Sequence, residues 1–382
     1  MHRFLRHYYF FDMQRKFSIK NITFLIFFVS FAVFSQQSNE KTTDSSALEA
    51  ISDKEAERKG IKAYIQHHLE DTHDFGLYSF TDEAGKKVHR GAPLPVILWD
   101  GGLKIFSSSK LHHGETLAEV DGNYYKLYHG KIYKTDALGT ITYEGDDHSH
   151  PSNLKPVDFS ITKNVVFIFL VALFMFFMFT RMAKSYQKGD LPKGMGRLLE
   201  PIILYIRDDI AIPNIGEKHY KRYMSYLLTV FFFIWIINLL GLTPLGVNVT
   251  NNIAVTSALA LITYFLTTFT ANKNYWGHIF WMPGVPLPMK IILAPIELLG
   301  TIIKPFSLMI RLYANITAGH IVLMSILSLI FVFKNWLGGS LSFGLAFALS
   351  LLELLVAALQ AYIFTMLSAL YFGSAVEEHD DH

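Results

Sequence analysis

The amino-acid sequence predicts a mainly α-helical, multi-span membrane protein with two long, strongly tilted C-terminal helices and a small, mostly β exported N-terminal module. Three observations lead to this fold class. Of the 382 residues, 51% are hydrophobic and only 17% are charged, whereas soluble domains carry about 25% charged residues. Nearly uncharged stretches recur from residue 164 onward, and residues 36–156 are polar. A membrane domain and a water-exposed module therefore share one chain.

Composition excludes several classes of function. The net charge of +2 is small and the basic residues form no continuous stripe, so no nucleic-acid partner is expected. The sequence contains no cysteine, which excludes disulfides, thiolate catalysis and zinc–thiolate sites. It also contains no glycine-rich phosphate loop. We therefore expect neither a cofactor nor a nucleotide site in this chain.

Residues 1–35 have the form of a secretory signal peptide. Arg15, Lys16 and Lys20 closely precede a short apolar run at residues 22–34. A basic segment followed by a short apolar segment defines such peptides, and a spanning helix needs about 20 apolar residues. An uncleaved anchor is the alternative, and Met13 would give a more usual start than Met1. In both cases the segment that follows is expected outside the membrane.

Residues 36–156 are expected to form the exported module. They contain 19 acidic and 14 basic residues and nine of the sixteen histidines. Residues 36–46 are predicted to be a linker, and the spacing of apolar residues at 47–69 predicts a helix. Strand-like runs follow at residues 95–99 and 122–128. Because an Asp-Gly step ends the first run and another begins the second, we expect hairpin turns there.

Three membrane spans of ordinary length are predicted after the module, at residues 164–180, 226–245 and 253–271. The loop after the first span carries five basic residues, Arg181, Lys184, Lys188, Lys193 and Arg197. The positive-inside rule places this loop in the cytoplasm, which agrees with an exported module. Residues 198–212 mix apolar and charged side chains and are expected at the membrane interface.

Two apolar segments near the C-terminus, residues 291–333 and 341–372, are much longer than a membrane is thick. As helices they would extend about 65 Å and 48 Å, whereas the hydrocarbon core measures about 30 Å. Each must tilt far beyond the usual 20° or so, or break, and Pro295 and Pro305 offer places for a break. Two long helices slanted against each other are the simplest interpretation, with an exposed face that suits a cylindrical partner.

Arg311 lies midway along the first long segment, where an ionisable side chain costs about 3 kcal/mol to insert. Its guanidinium stays protonated at ordinary pH. On a proton path it would therefore act as a barrier and a temporary counter-ion, and not as a carrier. The alternative is that Arg311 pairs with Glu297 or Glu353 only to hold the helices together.

Four further polar side chains accompany Arg311. His320 and Glu353 can both exchange protons, and histidine does so near neutral pH, although a lone intramembrane histidine can also be a hydrogen-bonded packing residue. Asn315 lies one turn beyond Arg311, and Gln360 returns to nearly the same helical face as Glu353. Amides do not titrate, but they orient water and hydrogen-bond a guanidinium. The set predicts a relay (His320, Glu353) beside a gate.

Residues 304–320, KPFSLMIRLYANITAGH, closely resemble the signature of subunit a of F-type ATP synthases. Residues 353–379 resemble that family's final helix and tail, and residues 238–244 and 295–297 fit its earlier segments. The resemblance covers roughly residues 198–379, and several motifs agree in order and spacing.

The resemblance implies a stator subunit that provides two proton half-channels and an essential arginine, which together couple proton flow to rotation of the c-ring. Arg311 matches that arginine, which faces the proton-binding carboxylates of the ring, and Asn315 and Gln360 match polar positions near it. His320 and Glu353 match a pair that lines the outer half-channel. Their order is the reverse of that in many bacterial members, but the exchange preserves one acid and one base.

The resemblance also implies partners and a location. The expected partners are the c-ring, subunit b of the peripheral stalk and the lipid bilayer, with protons as the default coupling ion and sodium as the alternative. The chain would be a non-catalytic, multi-pass subunit of the bacterial inner membrane, with its C-terminus in the cytoplasm. Gly241 stands where some relatives carry an acid, so a helper group on the outer path is missing or replaced.

The expected division of the chain is a signal peptide at residues 1–35, an exported module at 36–156 and a membrane domain of the subunit a type at 157–382. The histidines of the module are expected to be solvated surface residues, because their spacing matches no compact ligand motif; a metal site is the alternative, since imidazole suits zinc or copper. These histidines are His67, His68, His112, His113, His148 and His150.

Two other classes of function remain as alternatives. A proton-coupled secondary transporter would also bury Arg, His and Glu side chains. Such folds usually contain internal repeats, and the sequence contains no second copy of the long-helix pair. A structural assembly scaffold, in which the exported module is the working part, would tolerate the loss of Arg311.

Overall fold

The structure is a computed structural model that describes residues 71–81, 87–114, 116–143, 151–187, 194–243, 249–282, 285–332 and 335–377. All of the described residues belong to one compact unit, Ile61–His382. The predicted signal peptide, the linker and the helix at residues 47–69 all lie outside the described residues.

The N-terminal part of the described chain is built from short antiparallel strands. They are β1 Asp74–Thr81, β2 Lys87–Pro93, β3 Pro95–Trp99, β4 Leu103–Ser107, β5 Ala118–Val120, β6 Asn123–Tyr128, β7 Lys131–Thr135 and β8 Val157–Asp158. They pair as a β1–β2 hairpin, a β4–β3–β8 sheet and a β5–β6–β7 sheet. The two three-stranded sheets share a core, which contains Val96, Leu98, Phe106, Leu111, Ala118, Tyr125 and Ile132. The prediction of a small, mostly β module is confirmed.

The predicted hairpins occur where the Asp-Gly steps indicated. Strand β3 has the predicted bounds, and Asp121 and Gly122 form the two-residue turn between β5 and β6 with φ angles of 50° and 75°. Such a turn requires positive φ at both positions, which Asp-Gly adopts easily. A similar turn at His129 and Gly130 was not predicted, because a histidine at φ 46° is unusual in sequence-based turn patterns.

Asp100 connects the two three-stranded sheets. Its Oδ2 accepts hydrogen bonds from Nζ of Lys134, at 2.8 Å, and from the hydroxyl of Tyr125, at 2.9 Å. The hydrogen bond from Lys134 is the main reason that the pKa of Asp100 lies below its ordinary value. The carboxylate lies in the β3–β4 turn, whereas both donors lie in the other sheet, so this charged group stabilises the packing of one sheet on the other.

Long helices make up the rest of the described chain. They are α1 Lys163–Gln187, α2 Met195–Tyr205, α3 Ile212–Ile215, α4 Tyr220–Gly241, α5 Ile253–Thr270, α6 Lys273–Phe280, α7 Leu287–Val332 and α8 Trp336–Val376. Within the described residues, α1, α4, α5, α7 and α8 are long and apolar enough to cross a membrane. The predicted multi-span helical fold is confirmed.

Helices α7 and α8 are even longer than predicted, with 46 and 41 residues, or about 69 Å and 62 Å. Pro295 and Pro305 lie inside α7, so the helix continues through both sites where a break was considered. Proline is tolerated within membrane helices because neighbouring groups satisfy the freed carbonyls. The two helices remain unbroken, and this favours the tilted arrangement over the broken one.

The segment expected at the membrane interface folds as α2, a π-helical turn at Ile206–Ala211 and α3. Ile206 and Ile210 are fully buried against the other helices, whereas Arg207 and Asp208 pair with each other at 2.7 Å on the exposed side. This segment is not among the candidate spans. Its apolar face contributes to the core, in which Tyr223 of α4 stacks on Phe372 of α8 with ring centroids 4.5 Å apart.

Acid pH should loosen the contact between the sheets. Because the folded-state pKa of Asp100 is lowered, its contribution is present above its unfolded pKa of about 3.9 and is lost as the pH falls through the folded value. Asp100→Asn removes a charge-assisted hydrogen bond worth about 1.5–3 kcal/mol. Amide exchange of β6 and β7 in the full chain, corrected for intrinsic rates, should therefore be faster in Asp100→Asn at pH 7 and should respond less to acid. The exposed control Glu119→Gln should behave as the wild type, and equal protection in Asp100→Asn would contradict the assignment.

Candidate functional site

Helices α7 and α8 run antiparallel, and two contacts define their register. Nδ1 of His320 on α7 lies 3.2 Å from Oε1 of Glu353 on α8. Earlier on α7 and later on α8, Nζ of Lys304 lies 5.5 Å from the ring centroid of Tyr371. Because both helices rise 1.5 Å per residue, this register brings Gln360 near the level of α7 residues 311–315. The predicted site residues therefore occupy one stretch of this helix pair.

His320 joins three helices. In addition to Glu353, it contacts the last residue of α4, because its Nε2 lies 3.1 Å from the carbonyl oxygen of Gly241. A carbonyl oxygen only accepts, so Nε2 must carry a hydrogen. The contact between Nδ1 and Oε1 then holds one transferable proton. The pair is either an imidazolium with a carboxylate or a neutral imidazole that accepts from a protonated Glu353.

The side chains of His320 and Glu353 have little access to solvent. The two side chains are only 9% and 11% exposed. In such a poorly solvated place an isolated charge is costly, whereas a proton that moves between the partners leaves their sum unchanged. Oε2 of Glu353 is buried and has no hydrogen-bond partner among the described residues.

Gly319 makes room for the carboxylate of Glu353. A Cβ atom at this position would lie 2.5 Å from Oε1 and 3.2 Å from Cγ of Glu353, closer than non-bonded atoms approach. Any side chain at position 319 would therefore displace the carboxylate from His320. Gly319 stands in the sequence motif beside His320, but its steric role becomes visible only when the facing helix is known.

Arg311 presents its side chain elsewhere. It lies nine residues before His320, about 13.5 Å along the helix and about half a turn around it. The side chain is partly exposed, and that of Asn315 one turn later is exposed, whereas Gln360 is buried with 3% exposure. No ion pair or hydrogen bond links Arg311 to another described residue. The alternative in which Arg311 pairs with Glu297 or Glu353 is thus not seen in the described chain.

The connection between α4 and α5 supports the relay from outside the helix pair. Its 3₁₀ turn, Val249–Asn251, is held by Thr250, whose Oγ1 donates to Oδ1 of Asn238 on α4 at 3.0 Å. Oγ1 of Thr317 donates to Oδ1 of Asn251. Thr317 lies three residues before His320 and therefore on a neighbouring position of the helix surface. Sequence reasoning missed these contacts, although the polar run at residues 248–252 was a signal.

A second polar region lies on the other side of Arg311 along α7. A cavity between α5, α6, α7 and α8 is lined by hydroxyl and amine groups as well as apolar side chains. Its polar members are Thr263, Tyr264, Thr267, Tyr275, Thr301, Lys304, Tyr371 and Ser374. Arg311 is thus flanked by this cavity towards the N-terminal end of α7 and by the His320–Glu353 pair towards the C-terminal end.

Within the part of the chain that the structure describes, no group of three His, Cys, Asp or Glu side chains could hold a metal ion. Of the histidines noted in the sequence, His67, His68, His148 and His150 lie outside the described residues.

Comparison with known proteins decides the family. The sequence model of the family described as ATP synthase A chain matches residues 165–373, which include all five predicted site residues. The chain belongs to this family. It is 44% identical over 231 residues to ATP synthase subunit a of Chloroherpeton thalassium, covering 59% of this chain and 69% of that protein. It is 35% identical over 303 residues to ATP synthase subunit a 2 of Prosthecochloris aestuarii, covering 76% and 92%.

As a member of this family, the chain is a multi-pass subunit of the membrane sector of the F-type ATP synthase, the complex that contains the c-ring. The family predicted from the sequence motifs is confirmed. A second family, described as a domain of unknown function (DUF8433), matches residues 64–159. The membrane helices therefore match the ATP synthase A chain family, and most of the β module matches the domain of unknown function.

Replacing Gly319 should test the close packing beside Glu353. In Gly319→Ala the new methyl group must displace the carboxylate, and such overpacking costs about 1–3 kcal/mol. We expect ATP-driven proton pumping in inverted membrane vesicles to fall about tenfold. The matched control is Gly300→Ala on the same helix, where a Cβ atom meets nothing within 4 Å. Equal pumping by the two variants would contradict the steric role of Gly319.

Proposed function

We propose that the chain is the stator subunit that passes protons to and from the c-ring through two half-channels, with Arg311 as the gate between them. The observation that carries this proposal is the buried His320–Glu353 contact at 3.2 Å. The same helix pair presents on another face Arg311, which forms no ion pair or hydrogen bond with another described residue. One side chain pair can hold and release a proton, and a fixed positive charge stands a short distance away. These are the parts that a proton-driven rotary step requires.

The relay forms the outer half-channel in this proposal. A proton from outside reaches the pair, is held between Nδ1 of His320 and Oε1 of Glu353, and moves on to a carboxylate of the ring. Oε2 of Glu353 and Nδ2 of Asn238 are both buried without a partner among the described residues. Buried polar atoms of this kind are normally satisfied by water, and this supports a hydrated approach to the pair.

Arg311 acts on the ring carboxylate through its charge. A protonated ring site is neutral and can turn into the lipid, whereas a deprotonated site is attracted to the guanidinium. Because arginine keeps its proton at ordinary pH, Arg311 blocks direct passage of protons between the half-channels. The membrane potential contributes about 2.3 kcal/mol per charge per 100 mV, and this energy appears as rotation in one direction. The exposed face around Arg311 and Asn315 is the surface offered to the ring.

A small cavity on the other side of Arg311 marks the place of the inner half-channel in this proposal. Its mostly apolar lining includes the hydroxyl groups of Thr267, Thr301 and Ser374, beside which there is room for about one water molecule. Since this cavity and the relay lie at opposite ends of the same stretch of α7, protons would enter and leave at positions offset along the helix pair. A ring site must then travel between the two positions, and this displacement is what produces rotation.

The proposed orientation places the β module outside the inner membrane and the C-terminus in the cytoplasm, with residues 1–35 as signal peptide, 36–156 exported and 157–382 in the membrane. The contact between Asp71 and Asn252 supports this, because it joins the module to the α4–α5 connection, which the order of spans also places outside. Subunit b and the lipid bilayer complete the proposed set of partners.

Arg311→Ala tests the gate. We expect an assembled complex that no longer acidifies inverted vesicles on addition of ATP, because the ring carboxylate loses its counter-ion and protons lose their barrier. Arg222→Ala, which removes an exposed arginine from α4, serves as the control and should pump normally. Pumping by an assembled Arg311→Ala complex would refute the gate and favour the scaffold alternative.

Exchanging the two relay residues tests whether the pair or each single position matters. His320→Glu alone creates two facing acids and Glu353→His alone two facing bases, and both should lose most of the pumping activity. The double variant His320→Glu/Glu353→His restores one acid and one base, so a substantial part of the activity should return. If either single variant pumps like the wild type, the proton does not pass through this pair.

A further inference from the structure

The β module meets the membrane helices at the carboxylate of Asp71. Oδ2 of Asp71 accepts from Oγ1 of Thr162 at 3.0 Å and from Nδ2 of Asn252 at 3.4 Å, and Oδ1 accepts from the backbone N–H of Asn164 at 3.2 Å. Thr162 and Asn164 belong to the start of α1, and Asn252 is the N-cap of α5. One carboxylate therefore links the module to the first turns of two membrane helices.

The backbone around Asp71 is fixed from the module side as well. The carbonyl of Thr72 accepts from the N–H of Lys163 at 3.0 Å. His73 is buried with 3% exposure, and its Nε2 lies 2.9 Å from Oδ2 of Asp158 in β8. The segment at residues 71–73 is thus held between a strand of the module and the start of α1, and Asp71 has little freedom to move away.

Asn252 transmits this contact to the α4–α5 connection. Its Nδ2 donates to Asp71, and its Oδ1 accepts from the N–H of Ala254 at 2.9 Å as a helix cap. Turning the amide over would break both hydrogen bonds, so its orientation is set by the carboxylate on one side and the helix on the other. The neighbouring Asn251 accepts from Thr317 on α7, one turn before His320.

We propose that the module is a clamp on the outer proton path. Through Asp71 it holds the connection at residues 249–252 against α7, and this contact keeps His320 in place against Glu353 and Gly241. Asp71 is a positioning residue, because it touches neither member of the relay. The inference rests on the proposed outer half-channel, and it assigns a role to a region that matches a domain of unknown function.

Both carboxylate oxygens of Asp71 are required, because three groups donate hydrogen bonds to this side chain. An asparagine accepts hydrogen bonds only at its single oxygen. The hydroxyl of Thr162 could rotate and accept from the new NH₂ group, but the backbone N–H of Asn164 and the capping amide of Asn252 cannot. Asp71→Asn must therefore lose one of these two contacts while it keeps the size of the side chain.

Thiol cross-linking in the full chain measures the clamp directly. The chain has no cysteine, so Asn251→Cys and Thr317→Cys introduce a single pair at the contact between the connection and α7. In native membranes the initial rate of disulfide formation should fall about tenfold in Asp71→Ala and less in Asp71→Asn. Asp136→Ala is the matched control, because the side chain of Asp136 accepts hydrogen bonds within its own loop of the module, chiefly from Thr140, and its rate should match that of the unaltered Asp71 background.

Proton pumping separates positioning from folding. In a chain that keeps Asn251 and Thr317, Asp71→Ala should pump several-fold more slowly. In the double-cysteine chain with Asp71→Ala, a disulfide driven to completion between positions 251 and 317 should restore pumping until a reductant is added. If Asp71→Ala lowers assembly of the complex, pumping is measured with Asp71→Asn instead. Unchanged cross-linking and pumping would overturn the clamp, and so would slow pumping that the disulfide does not restore.

The outcome for the clamp is independent of the outcome for the gate. If Arg311→Ala abolishes pumping while the Asp71 variants change nothing, only the clamp is refuted. If Arg311→Ala pumps normally, the proton path itself fails, whereas the cross-linking rate still reports whether Asp71 holds the connection.

Discussion

The antiparallel register of α7 and α8 is the constraint on which the rest of the site depends. A titratable side chain inside a membrane costs about 3 kcal/mol to insert, so His320 and Glu353 are tolerable there only if each finds its partner. The observed register places them 3.2 Å apart. A shift of one helix by a single residue moves a side chain about 1.5 Å along the axis and about 100° around it. A shift of α8 would therefore leave Glu353 without its partner and His320 with the carbonyl of Gly241 alone.

The backbone contributes as much to this pair as the side chains do. The carbonyl of Gly241 determines which nitrogen of His320 carries a hydrogen, and the missing side chain of Gly319 allows Glu353 to approach. An acid at position 241 would bring a third titratable group to this pair, whereas Gly241 contributes only its backbone carbonyl, which cannot change its charge.

The β module and the membrane helices are connected by polar contacts at the N-terminal ends of α1 and α5. Helix starts have unsatisfied N–H groups and a partial positive charge, and Asp71 brings a carboxylate to the start of α1 and to the cap of α5. The same groups would otherwise be left to solvent or to lipid head groups. The short connection between α4 and α5 is therefore held on three sides, by Asp71, by Asn238 of α4 and by Thr317 of α7.

The sequence by itself determined the membrane class, the long C-terminal helices, the β strand at residues 95–99 and the identity of the titratable residues, because these depend on local composition and periodicity. The tertiary structure decided which of them meet. His320 and Glu353 are 33 residues apart in sequence, and only the helix register brings them together, while Arg311 faces another side of the same helix. Helix α7 also continues through Pro295 and Pro305, where the sequence left a break open. Gly241 contributes a backbone carbonyl, and Gly319 contributes the absence of a side chain. Asp71 contributes a contact with a residue 181 positions away. None of these features produces a periodic pattern in the sequence.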